Sequence, residues 1–150
     1  MAGARVCWPR EDQQMPPTFL GVRYIGLSVR DLPRSVAWYR DLLDFEVERE
    51  NYNGSAWPSD WDEVLLRHPG SGLLIGLLAH ASNPGEMFSE FRTGLDHLEF
   101  EVASLAELDA WRHRLDDFGV AHSGAWPHIV TFRDPDNIQL EFFWPPSSGS

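Results

Sequence analysis

The sequence predicts an α+β fold in which two tandem β-α-β-β-β modules set their sheets around a half-open, barrel-like cavity. Two observations carry that reading: a segment that recurs, and the hydrophobic pattern inside each copy. "YIGLSVRDLPRSVAWYRDLLDFEV", starting at residue 24, aligns without gaps to "HLEFEVASLAELDAWRHRLDDFGV", starting at residue 97. Identical pairs are Val29/Val102, Leu32/Leu105, Ala37/Ala110, Trp38/Trp111, Leu42/Leu115, Asp44/Asp117, Phe45/Phe118 and Val47/Val120. The aromatic landmarks stay in register, which chance similarity rarely achieves.

Each copy opens with strict alternation, Ile25, Leu27, Val29 in one and Leu98, Phe100, Val102 in the other, as a strand with one buried face requires. A helix follows. In the first copy Asp31 can cap it, Pro33 sits in the first turn where its missing donor costs nothing, and Leu32, Val36, Tyr39 and Leu43 form the apolar stripe. In the second, Ser104 and Glu107 form an S-x-x-E capping box, the stripe is Leu105, Leu108, Trp111 and Leu115, and Gly119 supplies a stop. Strands around a tight turn come next, "VLLRHPGSGLLIGLL" from residue 64 and "IVTFRDPDNIQLEFF" from residue 129. Arg67-x-Pro69 matches Arg133-x-Pro135, and one extra residue in the first turn brings Gly76 opposite Glu141. "DPDN" is a hairpin signal in itself, with Pro presetting one dihedral and Asn tolerating a positive φ. Each unit covers one sheet face with its helix and leaves the other bare, so two bare faces can enclose a space that one cannot.

A chain of 150 residues is the size of one domain. We expect a tail over residues 1–20, a domain over 21–145 and a short tail over 146–150. Within the domain, module 1 spans about 22–80, a linker 81–94 and module 2 95–145. With 23 acidic against 12 basic residues the formal charge is −11, which repels phosphate backbones and anionic membrane surfaces. Nucleic acid and membrane are therefore not expected partners. Cys7 is the only cysteine, which excludes a disulfide framework or a thiolate cluster for zinc. The opening "MAGARVCWPREDQQ" has no apolar export region, so a cytoplasmic protein is expected, and Met15 before "PPTFLGVRYIGL" allows a shorter native start.

Three stretches, "GLSVRDLPRSVAWYRDLLDFEV", "GLDHLEFEV" and "FRDPDNIQLEFF", resemble the vicinal oxygen chelate superfamily, over roughly residues 22–145. That group includes glyoxalase I, bleomycin-resistance proteins, extradiol dioxygenases and fosfomycin-resistance enzymes. The resemblance implies this fold, a small-molecule ligand and frequently a homodimer. It also implies a metal site drawn from the first and last strands of each copy, usually His or Gln on the first and Glu on the last. His97 and Glu141 match in the second copy. Tyr24 and Gly76 stand at the corresponding places in the first copy, so this chain departs from the pattern there.

Strand parity places His97, Glu99, Glu101, Gln139, Glu141 and Phe143 on the bare face of the second module, and Tyr24, Gly26, Ser28, Leu74, Gly76 and Leu78 on that of the first. The metal ligands expected are His97 and Glu141. Glu99 is a third donor only if it bridges two residues of strand, about 6.6 Å at ~3.3 Å per residue. His80 lies further still. Two cofactor readings stay open: one divalent ion (Zn, Mn, Fe, Ni or Mg), or none. Without a metal, His97 and Glu141 form an acid–base dyad and Tyr24 donates its hydroxyl proton to a substrate oxygen; a plainer role lining a pocket competes with both.

Trp57 and Trp61 lie in "SAWPSDW", a segment with no periodic face. With Trp126, Phe143 and Trp144 they form a candidate aromatic rim for a planar or hydrophobic ligand, or part of a dimer interface. Trp38 and Trp111 read as core or interface anchors, His113 as solvated, and His68, His122 and His128 as loop residues. Two functions follow: a glyoxalase-like lyase or dioxygenase-like enzyme with metal-assisted proton transfer or oxygen chemistry, or a module that sequesters a drug or metabolite without metal.

Overall fold

The computed structural model describes residues 19–53, 60–123 and 126–146. Trp57, Cys7 and Met15 lie outside them. In chain order the elements are β1 (Ile25–Ser28), α1 (Leu32–Leu43), β2 (Glu46–Asn53), β3 (Trp61–Arg67), β4 (Leu74–His80), β5 (Leu98–Glu101), α2 (Leu105–Asp117), β6 (His122–Ser123), β7 (Ile129–Arg133) and β8 (Gln139–Phe143). They make two four-stranded sheets, ordered β1-β4-β3-β2 and β5-β8-β7-β6. Each module is therefore β-α-β-β-β, as the repeat predicts, with its first strand parallel to its last.

The helix boundaries follow from local chemistry. Asp31 caps α1 by accepting from Arg34 N–H at 3.0 Å, and the Ser104 hydroxyl accepts from Glu107 N–H at 3.2 Å. The Glu107 carboxylate reaches back to Ala103 N–H at 2.9 Å, one residue before the cap. α1 stops through Asp44, which adopts the left-handed conformation (φ 61°), one of the few side chains that tolerates it. In the second copy Gly119 does so (φ 66°). Asn137 closes the "DPDN" hairpin at φ 70°.

Buried apolar side chains of both modules form one cluster, including Leu27, Tyr39, Leu42, Leu66, Leu77, Leu108, Leu115, Phe132, Leu140 and Phe142. Each fully buried aliphatic or Phe side chain contributes roughly 1.5–3 kcal/mol. Trp111 stacks on Phe142 (4.2 Å between centroids), which stacks on Phe132 (5.1 Å). Trp38, tilted over the Phe132 ring, ties α1 to the second sheet.

Polar contacts bind the modules in both directions. Arg30 meets Asp136 at 2.6 Å, Ser35 donates to Asp136 at 3.3 Å and Tyr39 donates to Asp134 at 3.0 Å. Conversely, Arg114 of α2 donates to the Leu42 and Asp41 carbonyls at 2.6 and 2.7 Å, satisfying carbonyls that the end of α1 leaves unpaired.

Candidate metal and ligand site

Parallel pairing of β5 with β8 sets Glu99 directly beside Glu141, with His97 immediately before β5. One potential donor atom from each of His97, Glu99 and Glu141 lies within 4.8 Å of the others. The separation along the strand overstates the gap for Glu99, because the donor atoms at the side-chain ends come within 4.8 Å of one another. Glu99 thus lies within reach of the other two as a potential third donor.

The buried carboxylate of Glu141 is fixed. Its Oε1 accepts from Thr131 Oγ1 at 3.0 Å and Gln139 Nε2 at 2.9 Å. Its Oε2 stands 3.7 Å from His97 Nε2. His97 Nδ1 lies 2.7 Å from Asp96 Oδ1; the carboxylate accepts, so Nδ1 carries a proton and Nε2 is the ring nitrogen that faces Glu141. The Asp96 hydrogen bond pushes the His97 pKa upward; partial burial opposes this, and the charges of Glu141, Asp96 and Glu99 add to it.

These residues fit a divalent ion. The set is one imidazole and two carboxylates, nitrogen and oxygen donors of the kinds that divalent ions take. Two ligands of a tetrahedral ion at ~2.1 Å would be about 3.4 Å apart, close to the observed Nε2–Oε2 separation. Asp96 behind His97, and Thr131 with Gln139 behind Glu141, supply the orienting partners that metal ligands ordinarily need.

The first module differs at each equivalent place. Its register pairs Gly26 with Gly76 where the second pairs Glu99 with Glu141, confirming the correspondence expected from the repeat. Tyr24 stands where His97 does and is 44% exposed. Glu63 on β3, a residue the first- and last-strand pattern does not point to, is 4% exposed and pairs with Arg49 at 3.3 Å. Alternation in "WDEVLL" could have found it, since Val64 and Leu66 belong to the helix side and leave Glu63 to the bare face.

Trp61 begins β3 opposite His80, and Phe143 ends β8 opposite Ile129. Trp126 is exposed, whereas Trp144 packs on the core. His68 leans on Phe45 and meets Ser71, His122 pairs with Asp116, and His128 tilts against Trp144. A cavity of about 570 Å³ lies between β1, the linker and the hairpin, lined among others by Ser28, His80, Arg92 and Asp136. Another of about 450 Å³ is lined by Phe45, Glu99, Trp111 and Phe142. Neither brings Tyr24 together with His97 and Glu141. Among the described residues no helix is long and apolar enough to cross a membrane.

The same architecture recurs in solved structures. A glyoxylase/bleomycin resistance protein/dioxygenase domain from Frankia sp. EAN1pec is 34% identical, with a TM-score of 0.75 over 88% of this chain and 96% of that one. The genomically encoded fosfomycin resistance protein FosX from Listeria monocytogenes, complexed with Mn(II) and sulfate ion, is 22% identical, with a TM-score of 0.61 over 87% of this chain and 96% of that one. No curated protein sequence matches. Residues 21–142 match the family model, and with the two-module architecture and the 34% identical domain this places the chain in the Glyoxalase/Bleomycin resistance protein/Dioxygenase superfamily.

Proposed function

We propose that the protein binds a divalent metal ion through His97, Glu99 and Glu141 and uses it on a small organic molecule held against the bare faces of the two sheets. The convergence of three donor atoms within 4.8 Å carries this reading. The Mn(II) complex of the FosX relative supports it. A bound ion would supply Lewis-acid polarisation of a substrate oxygen. The protein's own part is to hold Glu141 rigid through Thr131 and Gln139, to fix the His97 tautomer through Asp96, and to offer the Tyr24 hydroxyl as a proton donor to the substrate. Whichever carboxylate oxygen is not engaged with the ion is placed to accept a proton. The chemistry that fits is metal-assisted proton transfer or oxygen chemistry, of the lyase or dioxygenase kind.

A homodimer belongs to the proposal. Val22 and Leu95, at equivalent places before β1 and β5, are both exposed, as are Phe19, Leu20 and Phe91, and such apolar surface favours a second copy. The rim of Trp61, Trp126 and Phe143 would flank the ligand, with Trp57 as a further candidate.

Elemental analysis of protein purified without chelators, then reconstitution with Zn, Mn, Fe, Ni and Mg, tests the reading. Near-stoichiometric metal that is lost in His97→Ala is expected. Absence of binding for every ion would sink it and leave the second reading, metal-free sequestration of a drug or metabolite. That alternative draws on the first module, where Tyr24 and Gly76 occupy the places of His97 and Glu141.

A further inference from the structure

The two cavities sit at positions that the internal repeat makes equivalent. One is bordered by Gly26, Leu27 and Ser28 on the edge strand β1 and by Asp136 and Ile138 on the hairpin of the second module. The other is bordered by Glu99, Phe100 and Glu101 on the edge strand β5 and by Ser71 and Leu73 on the hairpin of the first module. The alignment that sets Tyr24 on His97 carries Gly26, Leu27 and Ser28 onto Glu99, Phe100 and Glu101. The one that sets Gly76 on Glu141 carries Ser71 onto Asp136 and Leu73 onto Ile138.

At the first junction the linker itself packs on the hairpin. Phe88 N–H donates to the Asp136 carbonyl and Asn137 Nδ2 donates to the Phe88 carbonyl, both at 2.9 Å, while the Phe88 side chain packs on the core. Arg30 also clamps β1 to Asp136. At the second junction the counterparts of Arg30 and Asp136 are Ala103 and Ser71, which cannot form an ion pair. Every described residue that lines this cavity belongs to one of the modules and none to the linker. A space of about 450 Å³ is left there, a size that small organic ligands occupy.

The walls set the chemistry of what can bind. Trp111 and Phe100 lie 4.2 and 5.9 Å from Phe142, centroid to centroid, and Phe45 adds a ring from the first module. Glu99, Glu101 and Glu107 bring three carboxylates, and no lysine or arginine is among the described residues that line the cavity. His68 does not offset them: its Nδ1 accepts from Ser71 N–H at 3.1 Å, so the ring is neutral. Aromatic surface beside unbalanced negative charge suits a ring that carries a protonated amine. We propose that this cavity, between the hairpin of the first module and the helix of the second, is a binding site for aromatic amines, with the ring against Phe45, Phe100 and Trp111 and the ammonium at Glu101 and Glu107. It goes beyond the metal reading: Glu99 borders both sites, but neither His97 nor Glu141 lines this cavity.

Titration of the isotope-labelled full-length protein with tryptamine, followed by NMR, tests it against two compounds of the same ring, uncharged tryptophol and anionic indolepropionate. Tryptamine should bind saturably with a midpoint in the millimolar range or below, moving the amide signals of Ser71, Leu73 and Phe100 and the indole N–H of Trp111. Tryptophol should bind about tenfold more weakly, the size expected for losing hydrogen bonds to a charged group, and indolepropionate more weakly still. Glu101→Gln combined with Glu107→Gln should lower tryptamine to the affinity of tryptophol and leave tryptophol unchanged. If that variant does not fold, added salt should narrow the gap between tryptamine and tryptophol in the parent. His97→Ala should leave tryptamine binding unchanged whatever it does to metal, so this inference and the metal reading fail separately. Unchanged tryptamine affinity in the folded double variant, equal affinity for tryptamine and indolepropionate, shifts confined to Tyr24, His97 and Glu141, or no saturable binding of tryptamine overturns the proposal.

Discussion

The Tyr39 hydroxyl, on the helix of the first module, donates a 3.0 Å hydrogen bond to Asp134 at the hairpin of the second, and both groups are buried. Asp134 Oδ1 meanwhile accepts from Asp136 N–H and Ile138 N–H, each at 2.8 Å. One carboxylate therefore shapes the hairpin with one oxygen and anchors the other module with the second. Tyr39→Phe removes a donor and leaves a buried acceptor short of a partner, which should cost about 1–3 kcal/mol. Urea unfolding with unchanged slope and a lower midpoint is the expected signature.

The same carboxylate makes stability depend on pH. Burial pushes Asp134 from 3.8 up to about 6, against the opposing pull of its hydrogen bonds from Ile138, Tyr39 and Asp136. Because the folded value lies above the unfolded one, the folded state holds this proton more tightly. The favourable contribution is complete below about pH 4 and is lost as pH rises through 6. Such a shift is worth roughly 3 kcal/mol. The stability of the parent relative to Asp134→Asn should therefore fall between pH 4 and 7; a difference that stays flat over that range would refute the assignment.

Asp96 raises the pKa of His97 through their hydrogen bond. Asp96→Asn should lower the His97 pKa, as read by proton NMR of the ring. A protonated imidazole cannot bind a metal, so the lower edge of the pH range for Mn(II) uptake should move to lower pH in the same variant. The two shifts should agree in sign.

Thr131 tests the support of Glu141 without touching a donor atom. Thr131→Val removes one of the two hydrogen bonds to Glu141 Oε1 and nearly preserves volume. Mn(II) affinity should drop between about tenfold and a hundredfold, with a change in thermal midpoint of only a few degrees.

Much of the architecture is legible in the sequence because it is local or repeated. Asp31, Ser104 with Glu107, and Asn137 act where their residue types predict, and the recurrence of Trp38 at Trp111 fixes both helices. Parity alone assigns His97, Glu99 and Glu141 to one face. The side-chain reach of Glu99 is not legible, since it depends on the register of β5 against β8, which no local pattern specifies. Glu63 escapes a search confined to first and last strands, because it lies on β3, the third strand of its module. Asp44 ends α1 in a conformation usually left to glycine. The bond from Arg30 to Asp136 spans a separation of 106 residues, and nothing in the alternation of either segment announces it.

Arg114 gives the second helix a hold on the end of the first, while Arg30, Ser35 and Tyr39 give the first module a hold on the hairpin of the second. A cut in the linker would thus strand carbonyls on one fragment and carboxylates on the other, along with a shared apolar surface. Although the chain is written as two copies, it should melt as a single cooperative unit, and neither copy is equipped to stand as a protein by itself.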